Sequence, residues 1–244
     1  MARDARPHFR KDTYWRRTQR PLNCLVFLLP LLIFFQVGAA IYGNELLVPQ
    51  LLGRVLGWFG ATAAFLPALL IVVMLLVMHL LHGEPWRVDG SALLGMGGES
   101  LLWTLPLVAL TYLLYRASAP AAAALLSPAG QNLVKGLLVA TGAGIYEEFI
   151  FRLVFVSLVL LICVDVFDLP RDVVTIVAVI ASALLFSLCH FSGAELTGKA
   201  PFQWTRFVFL TLAGLLWGAL FVFRGFGIAA GAHICYDMFV VLSS

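Results

Sequence analysis

The stretch Tyr146-Glu147-Glu148-Phe149-Ile150-Phe151-Arg152 lies inside an apolar run from about 137 to 162, long enough to cross a bilayer as a helix. It decides the fold. A charged side chain at the centre of a spanning helix costs roughly 2.5–3.5 kcal/mol, so it must face a partner or a wet cavity. On a helix, Glu148 and Arg152 are four residues apart on one face, with the acid on the N-terminal side that favours pairing. Glu147 is rotated from Glu148 by about 100° and is left for another task. The rest of the chain reads as the wall around that second carboxylate.

Of the 244 residues, 61% are hydrophobic and 12% charged, and the mean hydropathy is +0.96. That balance excludes a soluble domain. Several apolar runs reach the length of about 20 residues that a spanning helix needs, and the ten-residue alternation of a membrane barrel is absent. The expected fold is all-α: a polytopic integral membrane helical bundle of about seven (six to eight) transmembrane helices. Seven of the sixteen Lys and Arg residues precede Pro21, which suits an arm at an anionic leaflet and not a nucleic-acid partner. Cys24, Cys163, Cys189 and Cys235 are scattered without CxxC spacing and read as buried thiols, not a disulfide framework.

Taken in order, residues 1–21 form a basic cytoplasmic arm, 22–130 the N-terminal membrane helices and 131–244 the core that carries the chemistry, in a single domain with 22–130. Spans are expected over 22–42, 59–81, 93–115, 131–162, 173–191, 204–223 and 226–242. The first could pass for a signal peptide, but its apolar run exceeds the usual 7–15 residues, so it is read as a retained anchor. Residues 43–58 read as an interfacial or re-entrant piece, and 116–130 as an Ala/Pro/Ser loop. With the amino terminus inside, that side holds the seven-residue cluster plus Arg87, Arg171 and Arg224. The other holds Arg54, Arg116, Lys135, Lys199 and Arg206. Ten against five favours a cytoplasmic amino terminus, in the plasma or inner membrane if the source is prokaryotic.

Three more ionisable groups interrupt the later spans. His190 ends the fifth, four residues after Phe186, and His233 and Asp237 lie four apart in the seventh. Any one of them alone would read as polar glue between helices. Six such groups on three late helices read as one cluster. A carboxylate in an apolar setting can act as a general base, and a histidine beside it can share proton transfer or donate to an oxyanion. Gly-x-Ser-x-Gly is missing, and Ser187 and Cys189 look like ordinary helix residues, so water is the natural nucleophile. The combination points to hydrolysis inside the membrane.

Glu147-Glu148-x-x-x-Arg152, Phe186-x-x-x-His190 and His233-x-x-x-Asp237, in that order, resemble the three-motif signature of the CPBP (Abi) intramembrane glutamic endopeptidases. That family includes CAAX prenyl proteases and bacteriocin-processing or self-immunity proteins, and the resemblance covers roughly 133–242. It implies that Glu147 and His190 activate water and that His233 with position 237 stabilises the oxyanion. Glu148 and Arg152 would brace the helix, and no metal or other cofactor would be needed. The implied partners are the lipid bilayer and a membrane-associated protein or peptide substrate, whether prenylated, bacteriocin-like or sorting-tail-bearing. The prenyl proteases commonly carry Asn where this chain has Asp237. An ionised aspartate cannot donate to an oxyanion, so Asp237 either orients His233 or is held protonated. The competing readings are a zinc protease drawing on the same acids, histidines and Cys189 or Cys235, without an HExxH pair, and a non-catalytic carrier, immunity or scaffold protein. With the amino terminus inside, the cluster is expected to open toward the non-cytoplasmic side.

Overall fold

The computed structural model describes residues 13–42, 65–115 and 133–243. The expected interfacial piece at 43–58, the loop at 116–130 and the first twelve residues of the arm lie outside them. Among the described residues, six helices are long and apolar enough to cross a membrane. They are α2 (Pro21–Tyr42), α4 (Gly90–Tyr115), the interrupted helix that starts as α5 (Leu133–Glu148), α7 (Arg171–Cys189), α9 (Trp204–Arg224) and α10 (Phe226–Ser243). Helix α3 (Leu66–His82) is 17 residues long, at the lower bound for a span. Short helices α1 (Tyr14–Thr18) and α8 (Gly193–Leu196) lie outside the spans. The described residues contain no strand, and the helices form the all-α bundle expected from hydropathy.

The helix that holds the opening motif is not uniformly α. After α5 it widens into a π segment over Phe149–Val154, returns to α6 (Phe155–Leu160), and widens again over Leu161–Val166. Together these form a continuous stretch of 34 residues. At about 1.5 Å per residue its length is about 50 Å, against a hydrocarbon core of about 30 Å. A stretch longer than the hydrocarbon core is accommodated by tilting, kinking or local thickening of the bilayer.

Side-chain links fix which helix ends lie together. At one end, Arg17 pairs with Asp89, Arg20 with Glu84 at 3.1 Å, and Gln19 donates to the Phe223 carbonyl at 2.6 Å. Arg224, stacked 3.7 Å from Trp15, holds Glu99 through Nε and Nη2 at 2.6 and 2.7 Å. The last part of the basic arm is therefore a docked helix. Asp89 also caps α4, accepting from the Ser91 backbone N–H at 2.9 Å. At the other end, Lys135 lies 5.2 Å from the Tyr42 ring, and Gly136 faces Val241. Tyr42, Leu66, Leu133 and Ser243 thus share one end, and α1 lies at the opposite one. Gly225, at φ 90° and against the Gln19 backbone, makes the tight turn from α9 to α10.

Helix α10 is the most enclosed span: 61% of its window is buried, against 22–33% in the others. Its small residues Gly227, Ala229, Ala230, Gly231 and Ala232 admit close neighbours. On α5, a Cβ at Gly144 would stand 2.9 Å from the backbone nitrogen of Ile234, so only glycine permits this α5–α10 approach. That crossing brings Glu147 and Glu148 beside His233.

Candidate active site

Glu147 and Glu148 are the last two residues of α5, directly before the first π segment. Such wide turns appear mostly as local insertions and are frequent at functional sites. Here the segment carries Arg152 inward, where both it and Glu148 are fully buried. Glu148 Oε1 lies 3.0 Å from Arg152 Nη1. The guanidinium donates through Nη2 to the Gly214 carbonyl at 3.0 Å and lies 4.8 Å from the Phe186 ring. Glycine at 214 leaves room for this approach, since a Cβ there would stand 3.3 Å from Nη2 and 3.0 Å from the Ala183 backbone, tighter than ordinary contact.

The same Glu148 oxygen accepts from His233 Nδ1 at 2.9 Å. A buried carboxylate with two partners fixes the imidazole, whose other nitrogen, Nε2, faces Asp237 Oδ2 at 3.4 Å and Glu147 Oε2 at 3.8 Å. The His233 ring lies flat against Trp217, with centroids 3.6 Å apart and planes 12° off parallel. Phe186 stands edge-on to both Trp217 and His233, at 5.8 and 6.0 Å, and packs on His190 at 4.6 Å.

His190 is the C-cap of α7. Its Nδ1 lies 2.8 Å from the Phe186 carbonyl, which can only accept, so Nδ1 carries a proton. The other ring nitrogen, Nε2, faces Glu147 Oε1 at 3.8 Å. The two oxygens of Glu147 therefore face two different histidines, each too far for a direct hydrogen bond and close enough for a bridging water. Side-chain exposure grades from 0% at Glu148 and Arg152 through 10% at Glu147 to 23% at Asp237 and 29% at His190. The cluster opens toward the His190 end of α7.

All seven residues singled out from the sequence thus meet in one place. Glu148 has a second partner besides the expected Arg152, because it also holds His233. Trp217 and Gly214, both on α9, went unnoticed in sequence because α9 brings no ionisable residue to the cluster. The one available signal was a tryptophan well inside a span, away from the interfacial belt where tryptophan concentrates. Among the described residues, no three His, Cys, Asp or Glu side chains are grouped so as to hold a metal ion.

Residues 128–239 match the family model described as Type II CAAX prenyl endopeptidase Rce1-like. No curated protein and no solved structure matches the chain.

Proposed function

We propose that this multi-pass membrane protein is a glutamic endopeptidase in which Glu147 and His190 activate water, a reading supported by the match of residues 128–239 to the CAAX prenyl endopeptidase family model. The observation that carries the reading is the Glu147 carboxylate flanked by two imidazole nitrogens at 3.8 Å each. With His190 neutral and its proton on Nδ1, a water between Glu147 Oε1 and His190 Nε2 would donate to both.

The water oxygen attacks the scissile carbonyl carbon, and one of its protons passes to Glu147. The carbonyl π pair moves onto oxygen, and the resulting oxyanion accepts from His233 Nε2–H. When the C–N bond breaks, Glu147 returns its proton to the departing amine nitrogen. The products are a carboxylic acid, which ionises, and a free amine. No covalent enzyme intermediate and no metal is required.

The surroundings of His233 suit that role. Both ring nitrogens face carboxylate oxygens, which calls for protons on both. The Trp217 face stacked on the ring favours a cation there. Asp237 carries an acceptor to the ring and serves best by orienting His233. Glu148 and Arg152 hold the ring from behind.

The substrate is a membrane-associated peptide or lipid-anchored protein. The ten-against-five distribution of Lys and Arg supports placing the α1 end in the cytoplasm, so the His190 end opens to the non-cytoplasmic side. Reporter fusions at the carboxyl terminus test this: a cytoplasmic terminus overturns it. The reaction is tested with purified protein in vesicles and a membrane-tethered peptide. Glu147→Gln should abolish cleavage, by at least about a thousandfold, while the protein remains folded. Normal turnover by this variant refutes the mechanism.

A further inference from the structure

Helix α1 ties together helix ends that the chain keeps far apart. Arg16 and Arg20 meet Glu84 at 3.5 and 3.1 Å, and Arg17 meets Asp89, so three arginines rest on the two acids of the α3–α4 link. Tyr14 donates to Glu99 of α4 at 2.9 Å, and Thr18 is fully buried. Gln19, the C-cap of α1, grips the turn between α9 and α10. Its amide donates to the Phe223 carbonyl at 2.6 Å, and a Cβ at Gly225 would stand 3.1 Å from its Cα. The Trp15 carbonyl accepts from Arg224 Nη1 at 3.4 Å.

That turn is the closed end of the α9–α10 hairpin, whose two helices carry Trp217 and His233. Trp217 lies seven residues before Arg224, and His233 seven after Phe226. Each is therefore about 10 Å along its helix from the turn. Their rings meet across the hairpin at 3.6 Å. So α1 clamps the hairpin two turns away from the stacked pair. The contacts at this clamp differ in their shelter from solvent. The Arg224 side chain, paired with Glu99, is 3% exposed and out of reach of salt. Arg16 and Arg17 are 46% and 29% exposed. Ion pairs open to water are individually weak and are screened by salt. Salt can thus loosen α1 while the Arg224–Glu99 pair stays closed.

We propose that α1 is a charge-operated strap: docked on Glu84 and Asp89, it holds the α9–α10 hairpin in the register that stacks Trp217 on His233, and screening of those ion pairs releases it and slows cleavage. The proposal rests on the protease reading above and adds a means of regulating it. A displacement of about 1 Å at a catalytic group can cost about a hundredfold in rate. The strap touches no part of the open mouth, so its release should lower kcat and leave KM nearly unchanged.

The test uses the full-length protein in neutral detergent micelles, where salt reaches both ends, with a membrane peptide that carries no net charge. Two quantities are followed from about 0.05 M to about 1 M NaCl, a range over which screening shortens from more than 10 Å to about 3 Å. Backbone hydrogen exchange over residues 14–20 should accelerate by about fivefold or more, with the middle of α2 unchanged. The wild-type kcat should fall by about tenfold over the same range, with KM within about twofold. The double variant Arg16→Gln/Arg17→Gln should be slow at low salt already and blind to added salt, whereas Arg16→Lys/Arg17→Lys should keep most of the wild-type rate and its salt response. Exchange over 14–20 that ignores salt in the wild type, a measurement that needs no variant, overturns the proposal. So does accelerated exchange with an unchanged kcat, which would make α1 a passive anchor. A salt response that survives in the Gln variant places the effect elsewhere and also overturns it. Glu147→Gln is run in parallel: cleavage that persists there removes the protease mechanism, while the exchange measurement still reports on the strap.

Discussion

Replacing Glu148 separates two tasks that one side chain performs. Glu148 and Arg152 are both fully buried, with Oε1 3.0 Å from the guanidinium and 2.9 Å from His233 Nδ1. Glu148→Ala leaves a buried cation whose remaining supports are the Gly214 carbonyl and the Phe186 face. Removing one partner of a buried pair costs about 3–5 kcal/mol. The carbonyl and ring contacts persist, so the lower half of that range applies, still enough to cut the folded-to-unfolded ratio by roughly a few hundredfold. The double variant Glu148→Leu/Arg152→Leu removes both charges and should recover most of the stability, because an apolar pair of similar volume replaces a buried ion pair at little cost. It should not recover cleavage, since His233 has lost the acceptor that holds its ring. Thermal unfolding in detergent, followed by size-exclusion fluorescence, gives the first quantity, and peptide cleavage the second. A Glu148→Ala protein as stable as wild type refutes the bracing argument. A double variant that is stable and cleaves normally refutes the orienting one.

Chelation by EDTA or 1,10-phenanthroline should leave cleavage within about twofold; loss of activity that added zinc restores would establish the metal reading instead. Asp237→Asn keeps an oxygen acceptor opposite His233 Nε2 and should retain activity within about tenfold, whereas Asp237→Leu should fall further. An inactive Asp237→Asn protein with intact stability would mean that the charge itself is required. Gly214→Ala places a methyl 3.0 Å from the Ala183 backbone and 3.3 Å from Arg152 Nη2, and should destabilise by about 1–3 kcal/mol as an overpacked contact. An unfolding temperature equal to wild type would show that α9 yields there at no cost.

The helices were legible because lipid and protein interior alike demand long apolar runs, and six of them satisfy that by composition alone. Within the described residues, the helices Pro21–Tyr42, Leu66–His82 and Gly90–Tyr115 overlap the spans expected over 22–42, 59–81 and 93–115, and residues 59–64 lie outside them. The charged residues were legible for the complementary reason: an ionisable group within a bilayer must face a partner or a wet cavity. What stayed hidden was rotation about the helix axes. A soluble helix marks its inner face by amphipathicity, but here Ile180 and Leu184 face outward and Ala183 and Phe186 inward from the same apolar run. The partner of His233 could not be chosen between Glu147 and Glu148 from spacing. The π segment was hidden too, because widening a turn leaves the residue order Glu148-x-x-x-Arg152 unchanged. The docking of α1 was hidden by distance, since Arg17 and Asp89 are 72 residues apart.

Two adjacent glutamates suit opposite roles because adjacency on a helix forces divergence. Side chains one residue apart are turned by about 100°, so when one is driven into the core the other cannot follow. Arg152, itself held by the Gly214 carbonyl, and His233 draw Glu148 inward, where it is shut away from water. Glu147 is then set at the boundary between packed interior and open mouth, where it keeps 10% side-chain exposure. A base needs that boundary: deeper, it would meet no water, and further out, bulk solvent would screen it. The buried ion pair thus acts through geometry as much as through energy, since it fixes the rotation of the helix that presents the base. The double substitution Phe151→Arg with Arg152→Phe exchanges two neighbouring side chains, so that the guanidinium stands four residues after Glu147 instead of Glu148. That exchange should rotate the free carboxylate away from His190 and His233 and abolish cleavage even if the helix still inserts. Retained cleavage in the exchanged protein would mean that the position of Glu147 is set by something other than the pair behind it.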